Sequence, residues 1–361
     1  MVCLICLSGN TTKKAFQSVK KPMHPILKKL LFLLPVFWIL LPPYISSAGD
    51  IHEAAKVADL DRIRDILAQN PREANSQNIY GMTPDGYQMT PLHWAARMGH
   101  LDVAKLLLRH GALVGSRTSR GMTPLHMAAF RGHASMTALL LDNGATVTAT
   151  DSFGASPLHL AAISGSVPTI QTLLSRGAPI DAPGSSGATP LIEAIHQGKI
   201  KAVFALASAG ADLKKRDNAG ETVLHAAVQG KQAALVTYFL SADALKSAVT
   251  GTGRTPLHLA AHNLWPEGVQ LLLEAGAPAN ALDNGGDTPL LLAGRQAYWE
   301  LSMTRSHAKE WISLFDRILS LFLSHRSDLE IKAKDGTTIR NLASFIVGID
   351  RFESLQRNAA R

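Results

Sequence analysis

The chain has almost no cysteine. Only Cys3 and Cys6 occur in its 361 residues, and both lie close to the N-terminus. The remainder can form no disulfide of its own and cannot hold zinc through thiolates. The folded body is therefore predicted to be indifferent to the redox state of its compartment.

Acidic residues are absent from positions 1–48, which contain six lysines. The whole chain has a formal charge of +8 and a pI near 9.5, values that suggest a nucleic-acid partner at first sight. Because this leader carries +6 of the charge, only +2 is left on the remainder. The body is almost neutral, and no nucleic-acid partner is predicted.

Apolar runs are short. The longest clear one, Leu30–Leu41, has twelve residues with Pro35 inside it, whereas a membrane-spanning helix needs about 20 apolar residues. Lys28 and Lys29 precede it, and the small residues Ser46–Ala48 follow it. This order is typical of a secretory signal peptide of the bacterial type.

Cleavage is then expected before Gly49, in a leader that comprises residues 1–48. Met23 is a possible true start of the chain. The alternative is an uncleaved anchor formed by residues 26–45, which would be the only membrane contact. An anchor would also place the body outside the cytoplasm, because flanking lysines favour the cytoplasmic side.

Catalytic motifs are missing as well. The chain has no Gly-x-Ser-x-Gly, no His-Glu-x-x-His and no phosphate-binding loop with its lysine. His307 and Glu310 are spaced for one helix face, but catalytic zinc usually takes three protein ligands, so a solvated face is the preferred interpretation. We predict no catalytic, cofactor or metal site, and thus no enzyme.

What the chain has in abundance is one tetrapeptide of the Thr-Pro-Leu-His type, repeated at a step of 33 residues. A fixed step of this size indicates a stacked array of small units, each too small to bury its own apolar face. The seven copies begin at Thr90, Thr123, Ser156, Thr189, Thr222, Thr255 and Thr288.

The unit at Thr123 shows the physical logic. Thr123 can cap a helix, and Pro124 suits the first turn, where no backbone N–H is needed. Ala128 and its neighbour are small enough for a second helix to approach closely. Leu139–Leu141 belong to the apolar stripe of that second helix, and Gly144 supplies the positive φ that ends it.

These features resemble the ankyrin repeat, over roughly residues 49 to 345. The resemblance implies an all-α solenoid of helix-turn-helix units with short β-hairpin-like connecting loops. It also implies a non-enzymatic module that binds a protein partner through its hairpin tips and the concave face of its first helices. The imidazoles in the fourth tetrapeptide position are then structural, bonded to backbone in the turn: His93, His126, His159, His225 and His258.

The repeat divides the chain into four parts. After the leader, residues 49–89 are a capping repeat and a loop, 90–294 are regular repeats, and 295–361 are an insertion and C-terminal capping repeats. The last unit starts late by 17 residues, an excess that we place at Ala297–Trp311. Its aromatic residues either cover the end of the core, our favoured interpretation, or form a binding element.

Candidate binding residues are those that do not repeat. Aromatic and arginine side chains dominate binding hot spots. Two readings stay open for the apolar members: they contact a partner, or they pack against neighbouring units. The later units, with Gln197, Gln229 and Asn263, are interpreted as ordinary solvated surface. The candidate set is Arg97, Met98, Arg117, Arg120, Phe130, Arg131, Phe153, Ile163, Trp299 and Trp311.

Together these observations predict a monomeric, exported scaffold, placed in a bacterial periplasm or secreted, that binds a protein partner. The alternative is a secreted effector or accessory subunit that modulates a host or envelope enzyme.

Overall fold

The computed structural model describes residues 44–78, 88–241, 246–303 and 305–359. The chain divides into two compact bodies, residues 1–50 and 51–361. Most of the predicted leader lies outside the described residues, as does most of the predicted loop before Thr90. The first described helix begins at Tyr44 and therefore passes through the expected cleavage position.

Eighteen α-helices occur in the described residues, together with one isolated antiparallel bridge between Lys332 and Thr338 and no strand. This confirms the predicted all-α solenoid. The first helices of the units are α1 (Tyr44–Val57), α3 (Pro91–Met98), α5 (Pro124–Phe130), α7 (Pro157–Ser164), α9 (Pro190–His196), α11 (Val223–Gln229), α13 (Pro256–His262), α15 (Pro289–Met303) and α17 (Ile339–Val347). The second helices are α2 (Leu60–Gln69), α4 (Leu101–Arg109), α6 (Ala134–Asp142), α8 (Val167–Ser175), α10 (Ile200–Ser208), α12 (Ala233–Leu240), α14 (Pro266–Glu274), α16 (Ala308–Ser324) and α18 (Ile349–Ala359).

The repeated Thr-Pro pair starts the first helices. Thr123 has extended backbone angles, and its side chain accepts a hydrogen bond from the N–H of His126, while Pro124 occupies the first helical position. Pro91 and Pro256 take the same place in their own units. The tetrapeptide is therefore a helix start whose donors are already satisfied.

The turn between the two helices of a unit needs a residue with positive φ. Gly99, Gly132, Gly165 and Gly198 supply it in four units, and the next two units have Lys231 (φ 51°) and Leu264 (φ 44°) in the equivalent place. Side chains rarely adopt this conformation, because Cβ approaches the following carbonyl. These two turns are therefore strained relative to the four with glycine, as is the equivalent turn of the first unit, where Ala58 has a φ of 63°.

The core runs through the stack as a single cluster. Fully buried alanine pairs, such as Ala128 with Ala129 and Ala161 with Ala162, allow successive first helices to pack directly on one another. Leu140 and Leu173, on successive second helices, are also fully buried, and these second helices contact one another. Each unit is thus stabilised mainly by its neighbours.

The insertion lengthens two helices instead of forming a separate element. Helix α15 has 15 residues, where other first helices between Thr90 and Thr288 have 7 or 8, and α16 has 17, where the preceding second helices have 8 to 10. A short 3₁₀ turn, Arg305–His307, precedes α16. Thr338 then caps α17, which begins the last unit. No helix among the described residues combines the length and the apolar character needed to cross a bilayer.

Candidate functional site: a groove between hairpin tips and first helices

The five tetrapeptide histidines connect neighbouring units. In each, Nδ1 accepts a hydrogen bond from the N–H of the capping Thr or Ser at 3.0–3.2 Å. Since Nδ1 is an acceptor, Nε2 carries the proton, and it donates to a carbonyl of the next unit at 3.0–3.2 Å. Burial lowers the pKa of His93 and His225 to about 4, so both imidazoles are neutral at pH 7.

The hairpin tips form a second connection, along one edge of the stack. A backbone N–H of each tip donates to a carbonyl of the preceding tip. The pairs are Ser152 to Arg120 (2.9 Å), Ser185 to Phe153 (2.9 Å), Asn218 to Ser186 (2.8 Å), Gly251 to Ala219 (2.7 Å) and Asn284 to Thr252 (3.0 Å). These bonds hold the tips side by side, and a groove lies between the row of tips and the first helices.

One cavity of about 440 Å³ opens in this groove between the units of Ser156 and Thr189; we call it the first cavity. Phe153 projects from the tip on one side, with 62% of its surface exposed. Leu160 and Ile163 line the helix side. Glu193, half-buried on α9, is also part of its wall, and its side chain makes no hydrogen bond or ion pair to any described residue.

The structure thus brings two of the predicted binding residues together, Phe153 and Ile163. Ile163 is half-buried and packs against the core, which is one of the two readings left open by the sequence; contact with a partner stays a prediction. Phe130 precedes Ile163 by one repeat and is 46% exposed, and Met98 is 39% exposed at the end of α3. These apolar side chains follow the ends of successive first helices.

The predicted arginines have diverse surroundings. The guanidinium of Arg97 lies 5.6 Å from the ring centroid of the buried Trp94. The two side chains form a cation–π contact. Arg117 donates through Nη2 to the carbonyl of Thr150 on the next tip, so it ties two tips together. Arg120 and Arg131 are exposed.

A second cavity, of about 310 Å³, occupies the same groove between the units of Thr222 and Thr255; we call it the second cavity. Glu221 and Arg254 line its tip side, and Gln229 and Asn263 its helix side. The sequence interpretation of Gln229 and Asn263 as ordinary solvated surface is therefore incomplete, because both are walls of a recess. Burial, and then the nearby carboxylate of Asp217, raise the pKa of Glu221.

Charges of the second cavity differ in how they are paired. Arg254 donates through Nε to Asp283 at 3.3 Å. Glu221, in contrast, forms no hydrogen bond or ion pair through its side chain to any residue that the structure describes. A comparison of equivalent positions in successive repeats could have indicated this cavity. At 33-residue steps, the position is Ala in two repeats and charged in the next three: Ala155, Ala188, Glu221, Arg254 and Asp287.

The lengthened helices of the insertion line the C-terminal end of the groove. Trp299 on α15 is 52% exposed and borders a cavity of about 560 Å³, whereas Trp311 on α16 is half-buried and packs against the core. Arg295 bridges Asp287 (3.0 Å) and Asp335 (2.7 Å) in the same cavity. Trp311 also lines a cavity of about 340 Å³ together with Gln229 and Asn263, so both tryptophans border a recess and Trp311 contacts the core as well.

No group of three His, Cys, Asp or Glu side chains lies close enough to hold a metal ion within the described ranges. His307 bonds through Nδ1 to the hydroxyl of Ser306 at 2.9 Å. What the groove offers chemically is shape, apolar surface and a few charges, which are means of binding.

Comparison with known proteins follows this geometry. A family model described as "Ankyrin repeats (3 copies)" matches residues 51–151, 147–217 and 224–301. Among solved structures, the human ASB11 ankyrin repeat domain is similar with 30% identity and a TM-score of 0.53, over 57% of this chain and 92% of that one. The ankyrin repeat domain of Bcl-3, a unique member of the IkappaB protein family, is similar with 28% identity and a TM-score of 0.51, over 57% of this chain and 94% of that one.

Two curated proteins are similar over shorter stretches. One is a transient receptor potential cation channel subfamily A member 1 homolog of Caenorhabditis elegans, 37% identical over 71 residues, which are 20% of this chain and 5% of the channel. The other is a probable E3 ubiquitin-protein ligase, XBOS32, of Oryza sativa subsp. japonica, 35% identical over 77 residues, which are 21% of this chain and 14% of the ligase. The matches therefore span a small part of both curated relatives.

Proposed function

Because the chain belongs to the ankyrin repeat family, we propose that it is a non-catalytic scaffold that binds a protein partner along the groove between its hairpin tips and first helices. The first cavity carries this proposal. An aromatic side chain that is 62% exposed, at the edge of an apolar recess, is a costly feature for a monomer in water and a favourable one once covered.

Exposed apolar groups on the two preceding units extend this surface. Met98 and Phe130 continue the line toward the N-terminus, and Arg131 lies beside Phe130 as a polar rim. Apolar centres with polar rims are the usual anatomy of protein interfaces. Full burial of one such side chain by a partner stabilises a complex by about 1.5–3 kcal/mol.

A pull-down with the full chain tests the proposal. We expect Phe153→Ala combined with Phe130→Ala to lose the partner that the unaltered chain captures, and Arg97→Glu to weaken the capture. Gln171→Ala, an exposed change on the second helix α8, is the matched control and should capture as before. Equal capture by all variants would remove the groove as the binding surface.

Export is the second part of the proposal. The leader supports it, since twelve apolar residues between a lysine pair and a small-residue stretch are typical of a signal peptide. Fractionation of the native cell and sequencing of the mature N-terminus test it. A periplasmic protein beginning at Gly49 is expected. Cytosolic protein that retains Met1 would contradict export, and recovery inside a host cell would favour the effector alternative.

A further inference from the structure

The first and second cavities are the same recess two repeats apart. Adding 66 to six of the residues that line the first cavity gives residues that line the second; among them, Phe153 becomes Ala219, Ala155 becomes Glu221, and Ile163 becomes Gln229. The backbone is equivalent, since the tip bonds on both sides recur with similar lengths. The walls differ in chemistry, because Glu221 and Gln229 stand in place of Ala155 and Ile163, while Leu259 stands in place of Glu193.

The carboxylate of Glu221 is the unsatisfied group of the second cavity. It is half-buried and makes no side-chain hydrogen bond or ion pair to a described residue, although an electrostatic interaction with His196 partly opposes the rise in its pKa. Arg254, on the same wall, is already committed to the almost fully buried Asp283. A partly desolvated and unpaired charge is unfavourable in the free protein, and a cation that enters the recess removes that penalty.

The walls favour an ammonium or guanidinium group over a metal ion. Glu221 is the one carboxylate that lines this cavity, and the other polar walls are amides, hydroxyls, His262 and a guanidinium. Gln229 and Asn263 offer amide oxygens that accept from N–H donors. Leu259 supplies apolar contact for the methylene stem of a long side chain. A volume of about 310 Å³ accommodates such a side chain.

The separation of the two cavities sets the spacing of what they bind. Adjacent helices pack about 10 Å apart, so two repeats correspond to about 20 Å. An extended peptide rises about 3.3 Å per residue, which makes this separation about six residues. One continuous segment therefore reaches both recesses.

We propose that the groove binds one extended segment of a protein partner, with a large apolar side chain in the first cavity and a lysine or arginine about six residues away that pairs with Glu221. This rests on the proposed function, since it names the partner segment of the same groove. It adds a recognition element that the apolar surface alone does not require.

Selection from a phage-displayed library of random twelve-residue peptides, with the full chain as bait, tests it. We expect enriched peptides to carry an apolar residue and a Lys or Arg about six positions apart. Glu221→Gln keeps the shape of the recess and removes the charge, so its peptides should lose the basic residue and keep the apolar one. Phe153→Ala should do the reverse. Glu267→Gln, an exposed change on the second helix α14, is the matched control and should select as the unaltered chain does.

A synthetic peptide from the selection then gives the size of the effect. We expect Glu221→Gln to weaken its binding at least about tenfold, by analogy with other charge-assisted pairs. The variant should fold at least as stably as the unaltered chain, because it loses a partly desolvated carboxylate, and denaturant unfolding checks this. Basic residues retained by Glu221→Gln, or no peptide enriched at all, would overturn the proposal. Apolar peptides without a basic residue would overturn it too, yet they would leave the proposed function standing.

Discussion

The first and second cavities share one backbone and differ in the side chains that line them. Phe153 and Ile163 make the first mostly apolar, with Glu193 at its wall, whereas Ala219 and Gln229 leave the second mostly polar around Glu221. The repeat consensus, with its threonine caps and imidazole bonds, is the same beneath both. The difference shows that the consensus residues build the recess and that the residues outside the consensus choose its occupant.

We expect acid to destabilise the protein through its buried tetrapeptide histidines, which occur in the units of both cavities. Burial lowers the pKa of His93 and His225 to about 4 from 6.5, so between these values the unfolded chain takes up protons that the folded chain refuses. Stability is then constant above pH 6.5 and falls as the pH drops toward 4, by about 3 kcal/mol for each imidazole.

Urea unfolding followed by circular dichroism between pH 7.5 and 4.5 measures this loss. His225→Gln should show a shallower dependence on pH than the unaltered chain. His110→Gln, a change at an exposed position, should leave the slope as it is. A stability that does not change over this range would contradict neutral, buried imidazoles.

Removing one imidazole should destabilise the units around one cavity more than those around the other. His159 lines the first cavity and donates to the carbonyl of Ala188 at 3.2 Å, whereas His225 donates to Arg254, next to the second, at 3.1 Å. Each substitution by Ala leaves buried backbone groups without partners and should cost about 2–4 kcal/mol.

Amide hydrogen exchange locates the damage. His159→Ala should raise exchange mainly in α7 and α9, and His225→Ala mainly in α11 and α13. Exchange that rises equally throughout the stack in both variants would show that the units do not open separately.

Exchanging the chemistry of the cavities sharpens the comparison further. Ala155 occupies the place of Glu221 two repeats earlier, so Ala155→Glu adds a carboxylate beside Phe153 and Ile163, in a recess that Glu193 already borders. We expect the affinity for an apolar peptide side chain to fall about tenfold, because the charge must be desolvated on binding. Isothermal titration with a peptide selected on the unaltered chain measures it. An unchanged affinity would place that side chain outside the first cavity.

The smallest expected effect concerns two equivalent turns. Gly198 and Lys231 occupy the same position one repeat apart, both with positive φ. Lys231→Gly should stabilise the chain and Gly198→Ala destabilise it, each by about 1 kcal/mol, because only glycine adopts this conformation without strain. The shift in the urea midpoint reports both. A loss of stability in Lys231→Gly would contradict strain at that turn.

Much of this architecture could be predicted from the sequence because residues close together in the chain determine the helix starts and ends of each repeat. Thr123, Pro124 and Gly144 specify a start, a first turn and an end over short distances, and the 33-residue step then dictates the stack. The position at Arg326, where the sequence lacks the expected glycine, keeps the positive φ of its counterparts (56°), since the packed units impose it.

The groove was harder to predict because its walls come from different units. Glu193 and Phe153 are 40 residues apart in the chain and line the same recess. Aromatic character singled out Phe153, and an apolar side chain outside the repeat consensus singled out Ile163, whereas Glu221 and Gln229 are ordinary polar residues whose role depends on burial. The insertion shows a similar limit, because helical spacing alone does not tell that Trp299 is exposed at one cavity while Trp311 packs on the core and lines another.

The bonds between tips have a mechanical consequence. They lie in series along one edge of the stack, each a single N–H to carbonyl contact of 2.7–3.0 Å, and Lys334 adds a side-chain contact of 2.7 Å to Asn284 at the last step. The second-helix side is joined in another way, by apolar packing and by separate side-chain contacts such as that of Arg176 with Asp142 at 2.7 Å. Because the links between tips are in series, a force that stretches the tip edge is carried in full by each of these backbone bonds.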